Sequence, residues 1–476
     1  MLRKTVVNRL VDILGSQNVY HEKEDLLVYG YDSTPALQYL PDIAVFPRNE
    51  EDLLFAMTVA NEEGMPIVPR GSGTGLSGGS IPIYGGMVIG LTRLNRILEI
   101  DEENLTATAQ TGVITLDFFN AVAARGLFYP PDPGSQQVST LGGNVAENAG
   151  GLRGLKYGVT RNYIMALRGV LADGTPFSTG GKCVKDVAGY SLRDLLIGSE
   201  GTLGIITEIT VRLITPPQDK RTFLAYFRDI RTAGKAVSRI IAARIIPSTL
   251  EIMDNTTINC VEDYKAIGLP RQMEALLLIE VDGHPATVAQ EAAGVKEILE
   301  KVRADEIHEA KSAQEAARLT AARRTALAAV ARVSPTTILE DTTVPRSELA
   351  DMFAEIERLK KKYRLKLATF GHAGDGNVHP TALADERNQE EMKRVHAFFE
   401  ELYDWVLTKG GTVSGEHGIG ISKRVYLERQ IGKGGVAVMR RIKNAFDPKG
   451  LLNPGKMFLD GPDNARSNLA PGGSYV

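Results

Sequence analysis

The sequence predicts an α+β protein of more than one domain, and three observations carry that prediction. The stretch Met65–Ser80 is a short apolar strand, Pro66-Ile67-Val68-Pro69, running into a loop with glycines at 71, 73, 75, 78 and 79. A second strand, Met87-Val-Ile-Gly-Leu91, follows that loop where a doubly wound fold would place a helix. After Pro216-Pro217 the chain settles into strands and helices whose order suits helices laid on one face of a mostly antiparallel sheet. A length of 476 residues leaves room for two or more domains with sizeable cores.

The elements follow in order. Val6, Val7, Leu10, Ile13 and Leu14 recur at helical spacing, so the amino end reads as an amphipathic helix without the apolar run of a signal peptide. Ile43–Phe46 reads as a strand, 49–63 as a helix, 105–110 as a strand and 114–125 as a helix closed by Gly126. The segment 129–158 is long and irregular, with PPDPGS at 130–135 and STLGGNVAENAGG at 139–151; loops of this length inside a compact domain are usually functional. Strands at 167–172, 175–179 and 203–213 complete a first domain ending near Pro216-Pro217. Beyond it, strands are expected at 221–227, 248–253, 274–282, 304–308, 336–341 and 365–370. Helices are expected at 230–244, 284–302, 311–331, 346–363 and 387–409, and again from Met439 to the stop at Asp447-Pro448. The last residues are rich in Gly, Pro, Asn and Ser and read as a flexible tail.

Composition excludes several classes. With 55 basic and 58 acidic residues there is no cationic excess for nucleic acid. Two cysteines, Cys183 and Cys260, build neither a disulfide framework nor a four-thiolate iron–sulfur or structural zinc site. No run of about 18 apolar residues is present, so no membrane-spanning segment is expected. The location expected is cytoplasmic, or peripheral at a membrane through a partner.

Glycine lacks a side chain and tolerates positive φ, so the 71–79 loop can turn many backbone N–H groups toward one anion, a pyrophosphate above all. Three further glycine-rich stretches, 139–144, 148–151 and 198–204, accompany it. Together they suggest a large phosphate-bearing ligand laid along a groove, although each alone is an ordinary turn.

A second constellation lies at 370–420. Phe370-Gly-His372-Ala-Gly-Asp375-Gly376-Asn-Val-His379 centres on an Asp-Gly turn, and a two-residue hairpin would place His372 opposite His379. Opposed imidazoles bond within a core, pair as a surface ladder, or grip one divalent metal, for which Ser414-Gly-Glu416-His417 offers Glu416. Two histidines and a carboxylate leave open positions, the pattern of a catalytic zinc, manganese or iron site. His417 stands among glycines 415, 418 and 420, and an unperturbed imidazole titrates near neutrality, which suits a general base. In an extended stretch Glu416 and His417 would point opposite ways unless those glycines bend the chain. For a substrate carboxylate, an arginine fork is the matching cation.

PRGSGTGLSGG, PPDPGS, STLGGNVAENAGG, GSEGTLGIIT, GHAGDGNVH, SGEHGIG and FDPKGLLNPGKMF resemble, in order from about 35 to 458, the FAD-linked oxidases of the vanillyl-alcohol oxidase type. Within that type the motifs are similar to the branch of glycolate oxidase flavoprotein subunits and D-lactate and D-2-hydroxyglutarate dehydrogenases. The resemblance implies a two-subdomain FAD-binding domain at 1–216, an antiparallel-sheet cap domain at 217–420, a segment at 421–460 returning to the FAD domain, and a tail at 461–476. It implies that Arg70, Gly71, Ser72, Gly73, Thr74, Gly75, Ser77, Gly78 and Gly79 hold the pyrophosphate. Pro133, Ser139, Thr140, Gly142, Gly143 and Asn144 would contact flavin and diphosphate, while Asn148, Gly150, Gly151, Tyr157 and Gly158 would line the ring. Glu200, Gly201, Gly204 and Ile206 would receive the adenosine end, and Asn453 would close the site.

The same resemblance implies a zinc-like divalent metal on His372, His379 and Glu416, with His417 as catalytic base. It places Arg323 on the substrate carboxylate, although Thr320 stands where relatives carry tryptophan in Trp-x-x-Arg. No histidine lies between His21 and His284 to link FAD, so non-covalent FAD is expected. The function implied is oxidation of a small D-2-hydroxy acid, with electrons leaving to an external acceptor: an iron–sulfur subunit or an electron-transferring flavoprotein. Two other functions are weighed. A non-catalytic FAD-holding electron-transfer subunit would not need the His/Glu set, and a metal hydrolase would lack flavin colour.

Overall fold

The computed structural model describes residues 3–459, so the expected tail at 461–476 lies outside the described residues. The chain forms two compact units. The first runs to Ala149, takes in Val159–Pro216 and resumes at Glu416. The second holds Gly150–Gly158 and Pro217–Gly415. The division thus falls between the two prolines. The return to the first unit comes ahead of residue 421, and the short piece 150–158 belongs with the second unit, which the sequence reading did not foresee.

The first unit contains two sheets, as a two-subdomain arrangement requires. One has the strand order Val19–Tyr20, Ile43–Val45, Met87–Gly90, Ile67–Arg70. Its last three strands are parallel and the first is antiparallel. Helix Glu50–Glu63 starts at Asn49, whose side chain accepts from the Asp52 N–H, and ends at Gly64 in the left-handed region. It buries Leu53, Ala56, Met57 and Ala60 against the strands and against Val6, Leu10 and Leu14 of helix Lys4–Leu14. Each such large side chain contributes about 1.5–3 kcal/mol on burial. No helix forms between Arg70 and Met87. The loop therefore departs from the dinucleotide-binding pattern as its sequence indicated.

The other sheet is antiparallel, in the order Ile97–Asp101, Thr106–Gln110, Ile205–Arg212, Ile164–Val170, Pro176–Gly180. Ile97–Asp101 is a half-exposed edge strand that the sequence reading passed over. The segment 129–158 is also less irregular than expected, since Leu141–Glu147 and Gly154–Tyr157 are helical. Two consecutive glycines at 142 and 143 hide the first of these helices. A Cβ on Gly142 would collide with Thr111 Oγ1, so close packing and not flexibility explains that glycine.

Helical backbone also begins at Arg424, well before the expected Met439, and runs to Phe446 with one break at Gly432, φ 74° and ψ 163°. Ile442 and Phe446 pack on the core of the antiparallel sheet. Asp447 then accepts the N–H groups of Leu451 and Leu452 at 3.0 and 2.7 Å, and Asn453 N–H donates to the Ile67 carbonyl at 2.7 Å. The C-terminal segment is thereby added to the open edge of the parallel sheet.

The second unit is built on an eight-stranded sheet in which every pairing is antiparallel. The order is Glu306–Glu309, Asp219–Phe227, Ala275–Gly283, Thr249–Asp254, Leu367–His372, Asn377–Ala384, Thr336–Leu339, with Thr342–Thr343 also on Asn377–Ala384. Helix Asn255–Lys265 was missed because NTTINCVEDYK looks polar. Its start is made by Asp254, whose side chain accepts from Thr257 N–H. The single helix expected at 311–331 is two, Ala313–Arg324 and Ala326–Val330, parted at Thr325, whose hydroxyl donates back to the Ala322 carbonyl.

The hairpin carrying the histidines corrects the predicted register. His372 pairs with Asn377, and His379 pairs with Phe370, around a four-residue turn. The slip is two residues. A strand repeats every two residues, so both imidazoles stay on one face as diagonal neighbours.

Candidate active site

In the first unit the glycine loop is shaped around Arg70. The guanidinium is buried and bonds two neutral oxygens, Ser80 Oγ at 3.2 Å and the Val28 carbonyl at 3.4 Å. A Cβ at Gly73 would overlap this guanidinium, and Gly73 itself sits at φ 72°. A buried cation whose hydrogen bonds among the described residues go to neutral oxygens, ringed by bare backbone, suits a phosphate group. Next to it Thr140 caps helix Leu141–Glu147, accepting from Gly143 N–H, and a Cβ on Gly71 would crowd Thr140 Oγ1. Ser139 and Asn144 both bond Thr115 Oγ1, at 3.0 and 2.8 Å, which fixes the 139–144 turn from behind. Pro133 is buried in the preceding loop.

The other expected cofactor residues divide. Asn148 ends its helix in the left-handed region, and its Oδ1 accepts from Arg161 N–H at 2.9 Å. Gly150, Gly151, Tyr157 and Gly158 fall in the second unit, where Tyr157 Oη donates to Asp282 Oδ2 at 2.8 Å and Lys156 Nζ pairs with Asp282 Oδ1 at 2.6 Å. Glu200, Gly201 and Gly204 form the turn before strand Ile205–Arg212, and Ile206 packs in the hydrophobic core. Glu200 is a clasp: its oxygens accept from Ile419 and Gly420 N–H, each at 2.7 Å. Asn453 is another, donating to the carbonyls of Gly79 and Glu200 at 2.8 and 2.7 Å. The C-terminal segment and the glycine loop are thereby fastened to one another.

Burial sets the electrostatics beneath this loop. Asp32 and Glu200 are buried and Glu147 is half-buried, and desolvation raises all three carboxyls above their ordinary range. Lys456 Nζ donates to the Ile81 carbonyl at 2.7 Å, and burial holds its ammonium down to about 7. Glu147 Oε2 and Asp32 Oδ2 are buried without a hydrogen-bond partner among the described residues. Sequence reasoning missed all of Asp32, Glu147 and Lys456.

In the second unit His372 and His379 lie with ring centroids 5.4 Å apart and planes at 88°. His372 Nδ1 is 2.7 Å from Glu251 Oε1. His379 Nδ1 is 3.8 Å from Asp341 Oδ1, and Asp341 is itself held by Asn377 Nδ2 at 2.6 Å and Ser414 Oγ at 2.9 Å. Arg323, in the last turn of helix Ala313–Arg324, places Nη2 2.7 Å from Glu251 Oε2 and its guanidinium 5.0 Å from the centre of the Phe370 ring. Its Nε is buried with no acceptor among the described residues. Neither Glu251 nor Asp341 was singled out in the sequence. The available signal for Glu251 was one carboxylate inside the apolar strand Thr249-Leu-Glu-Ile-Met.

Two residues beyond Ser414 the chain carries Glu416 and then His417, on the first unit's side of the division. Gly418 and Gly420 take φ 83° and 48°, and His417 Nε2 comes within 3.7 Å of Glu416 Oε1. The glycines do bend the chain, and the two side chains approach each other instead of pointing apart.

The class these features define is that of the FAD-linked oxidases. Residues 41–180 match the family described as FAD binding domain, and residues 216–457 match FAD linked oxidases, C-terminal domain. The chain belongs to this family and is an FAD-dependent oxidoreductase, as the motifs indicated. It is 52% identical over 458 residues to the glycolate oxidase subunit GlcD of Bacillus subtilis (strain 168), covering 96% of this chain and 97% of that protein. It is 37% identical over 437 residues to the D-lactate dehydrogenase of Archaeoglobus fulgidus, covering 90% and 95%. Among solved structures, p-cresol methylhydroxylase with substrate bound superposes with a TM-score of 0.79 at 19% identity, over 96% of each chain, a likeness of fold. No described helix is long and apolar enough to cross a membrane.

Proposed function

We propose that this protein oxidises a small D-2-hydroxy acid, such as glycolate or D-lactate, to the 2-oxo acid and passes the electrons to an external acceptor. The observation that carries the reading is the buried Arg323, whose Nε donor is unmatched, set over Phe370 beside the paired imidazoles of His372 and His379. A fixed cation next to a metal-ligating pair suits a molecule with a carboxylate and a neighbouring hydroxyl. The names of the relatives, a glycolate oxidase subunit and a D-lactate dehydrogenase, support the same class.

The donor set fits a divalent ion of the zinc, manganese or iron kind, held by His372, His379 and Glu416. His372 Nδ1 is bonded to Glu251 Oε1, the kind of partner that orients a ligating imidazole. FAD, held non-covalently in the glycine cradle, supplies the two-electron acceptor, and the ion supplies a Lewis acid for the C2 hydroxyl. Arg323 binds the substrate carboxylate and fixes the orientation of C2. His417 takes the hydroxyl proton on a ring nitrogen. Cys183 and Cys260 are too few for a four-thiolate cluster, which supports an external acceptor, an iron–sulfur subunit or an electron-transferring flavoprotein, in the cytoplasm or at a membrane surface through that partner.

Anaerobic bleaching of the flavin against a panel of D- and L-2-hydroxy acids, run on protein as isolated and after chelation, tests the reading. Bleaching by D-lactate or glycolate, lost on chelation and restored by a divalent ion, is expected. Bleaching by no 2-hydroxy acid, or by L-isomers alone, overturns it.

A further inference from the structure

The structure assigns a role to Glu251: we propose that this buried carboxylate is the positioning residue that ties the metal-binding imidazole of His372 to the substrate-binding guanidinium of Arg323. The inference rests on the metal and carboxylate-binding roles proposed above and deepens them.

Glu251 lies in strand Thr249–Asp254 and is 1% exposed. The neighbouring strand pairs Ile252 with Gly371 and Met253 with Phe370. Continuing that register by one step brings Glu251 opposite His372, so the contact is set by the sheet and not by chance rotamers. The two oxygens are divided between two partners. Oε1 is 2.7 Å from His372 Nδ1, and Oε2 is 2.7 Å from Arg323 Nη2. A carboxylate bonded to one ring nitrogen fixes the tautomer and the orientation of the other nitrogen. The same carboxylate holds one corner of the Arg323 fork and leaves Nε without an acceptor among the described residues. One side chain thus fixes the spacing between the group that would hold the hydroxyl oxygen through a metal and the group that would hold the carboxylate. For a 2-hydroxy acid those two substrate groups sit on adjacent carbons, so a rigid spacer between their receptors selects that class. A buried arginine could have been neutralised by a carboxylate touching it alone; the second contact to His372 is what a purely neutralising role leaves unexplained.

The test uses the full-length FAD-loaded protein. Wild type and Glu251→Gln are stripped with chelator and titrated with Zn²⁺ or Mn²⁺ by equilibrium dialysis, with FAD content and Tm measured alongside. Metal affinity is expected to fall about 10- to 100-fold in Glu251→Gln, the usual cost of losing the partner of a ligating histidine. At saturating metal the KM for D-lactate should rise while FAD content stays at the wild-type value. Discrimination against 3-hydroxybutyrate should narrow. Should Glu251→Gln fail to fold, Glu251→Asp carries the same test, since it keeps the charge that Arg323 needs but is one methylene too short to reach both partners. A lowered Tm with unchanged metal affinity and unchanged KM overturns the proposal and reduces Glu251 to a counter-ion for Arg323. Wild type that binds no metal overturns the metal reading and this inference together. Wild type that binds metal as tightly as both variants overturns this inference alone.

Discussion

Arg323→Lys isolates the proposed carboxylate-binding role from folding. Arg323 is buried, with Nη2 2.7 Å from Glu251 Oε2. Removing its charge would leave a buried carboxylate unpaired, a defect of about 3–5 kcal/mol that would obscure any catalytic reading. Lysine keeps the charge for Glu251 but has one ammonium in place of a planar fork, so the donor that Nε offers is lost. A hydrogen bond to a charged group contributes about 1.5–3 kcal/mol, which converts to roughly a 10- to 150-fold loss of kcat/KM. The carboxylate is held equally before and during hydride transfer, so most of the loss should appear in KM. Steady-state oxidation of D-lactate or glycolate with an artificial dye, on protein of verified FAD and metal content, measures it. Wild-type kcat/KM in a variant that retains both groups would show that Arg323 does not touch the substrate.

Three further outcomes are expected. His417→Ala should keep FAD and metal yet slow anaerobic flavin reduction by roughly 10²–10⁴-fold, the scale of general-base removal; an unchanged rate in stopped flow assigns the base elsewhere. Asp254 is buried at the head of helix Asn255–Lys265, and desolvation pushes its carboxyl from 3.8 up to about 6. Between these values the folded chain binds the extra proton, so stability falls as pH rises through the window, by about 3 kcal/mol in all. Asp254→Asn keeps an oxygen for Thr257 N–H, so it should be the more stable protein at pH 7.5 and gain little at pH 4. Urea unfolding followed through Trp405, the chain's one tryptophan, reads this in the second unit, and a variant no more stable at pH 7.5 refutes it. Finally, turnover with dioxygen alone should be slow beside turnover with an artificial dye, and fast stoichiometric peroxide production would remove the need for an acceptor protein.

Much of the fold was legible because its signals are local. Helical spacing marked Lys4–Leu14, Asn49 and Gly64 bracketed Glu50–Glu63, and glycines barred a helix after Arg70. The failures have local causes too. Glycines at 142, 143, 432, 434 and 435 lower helix propensity, and they concealed helices that tertiary packing stabilises. Asn255–Lys265 carries too few apolar residues for its period to show, although the buried Ile258 and Val261 anchor it.

By itself the sequence determined the cofactor class and put His372 and His379 on one strand face. Loop glycines are needed for short-range steric reasons, and two histidines seven residues apart on one hairpin share a face for any slip of two. Only the tertiary structure decided how those residues are held. The hairpin register depended on a four-residue turn that an Asp-Gly pair alone does not specify. The partners of the site come from far along the chain: Glu251 meets His372 across 121 residues, and Asn453 reaches Gly79 across 374. Propensity and periodicity act over a few residues. A buried carboxylate finds its cation or imidazole only when strands are paired and water is excluded, and no local pattern encodes that choice.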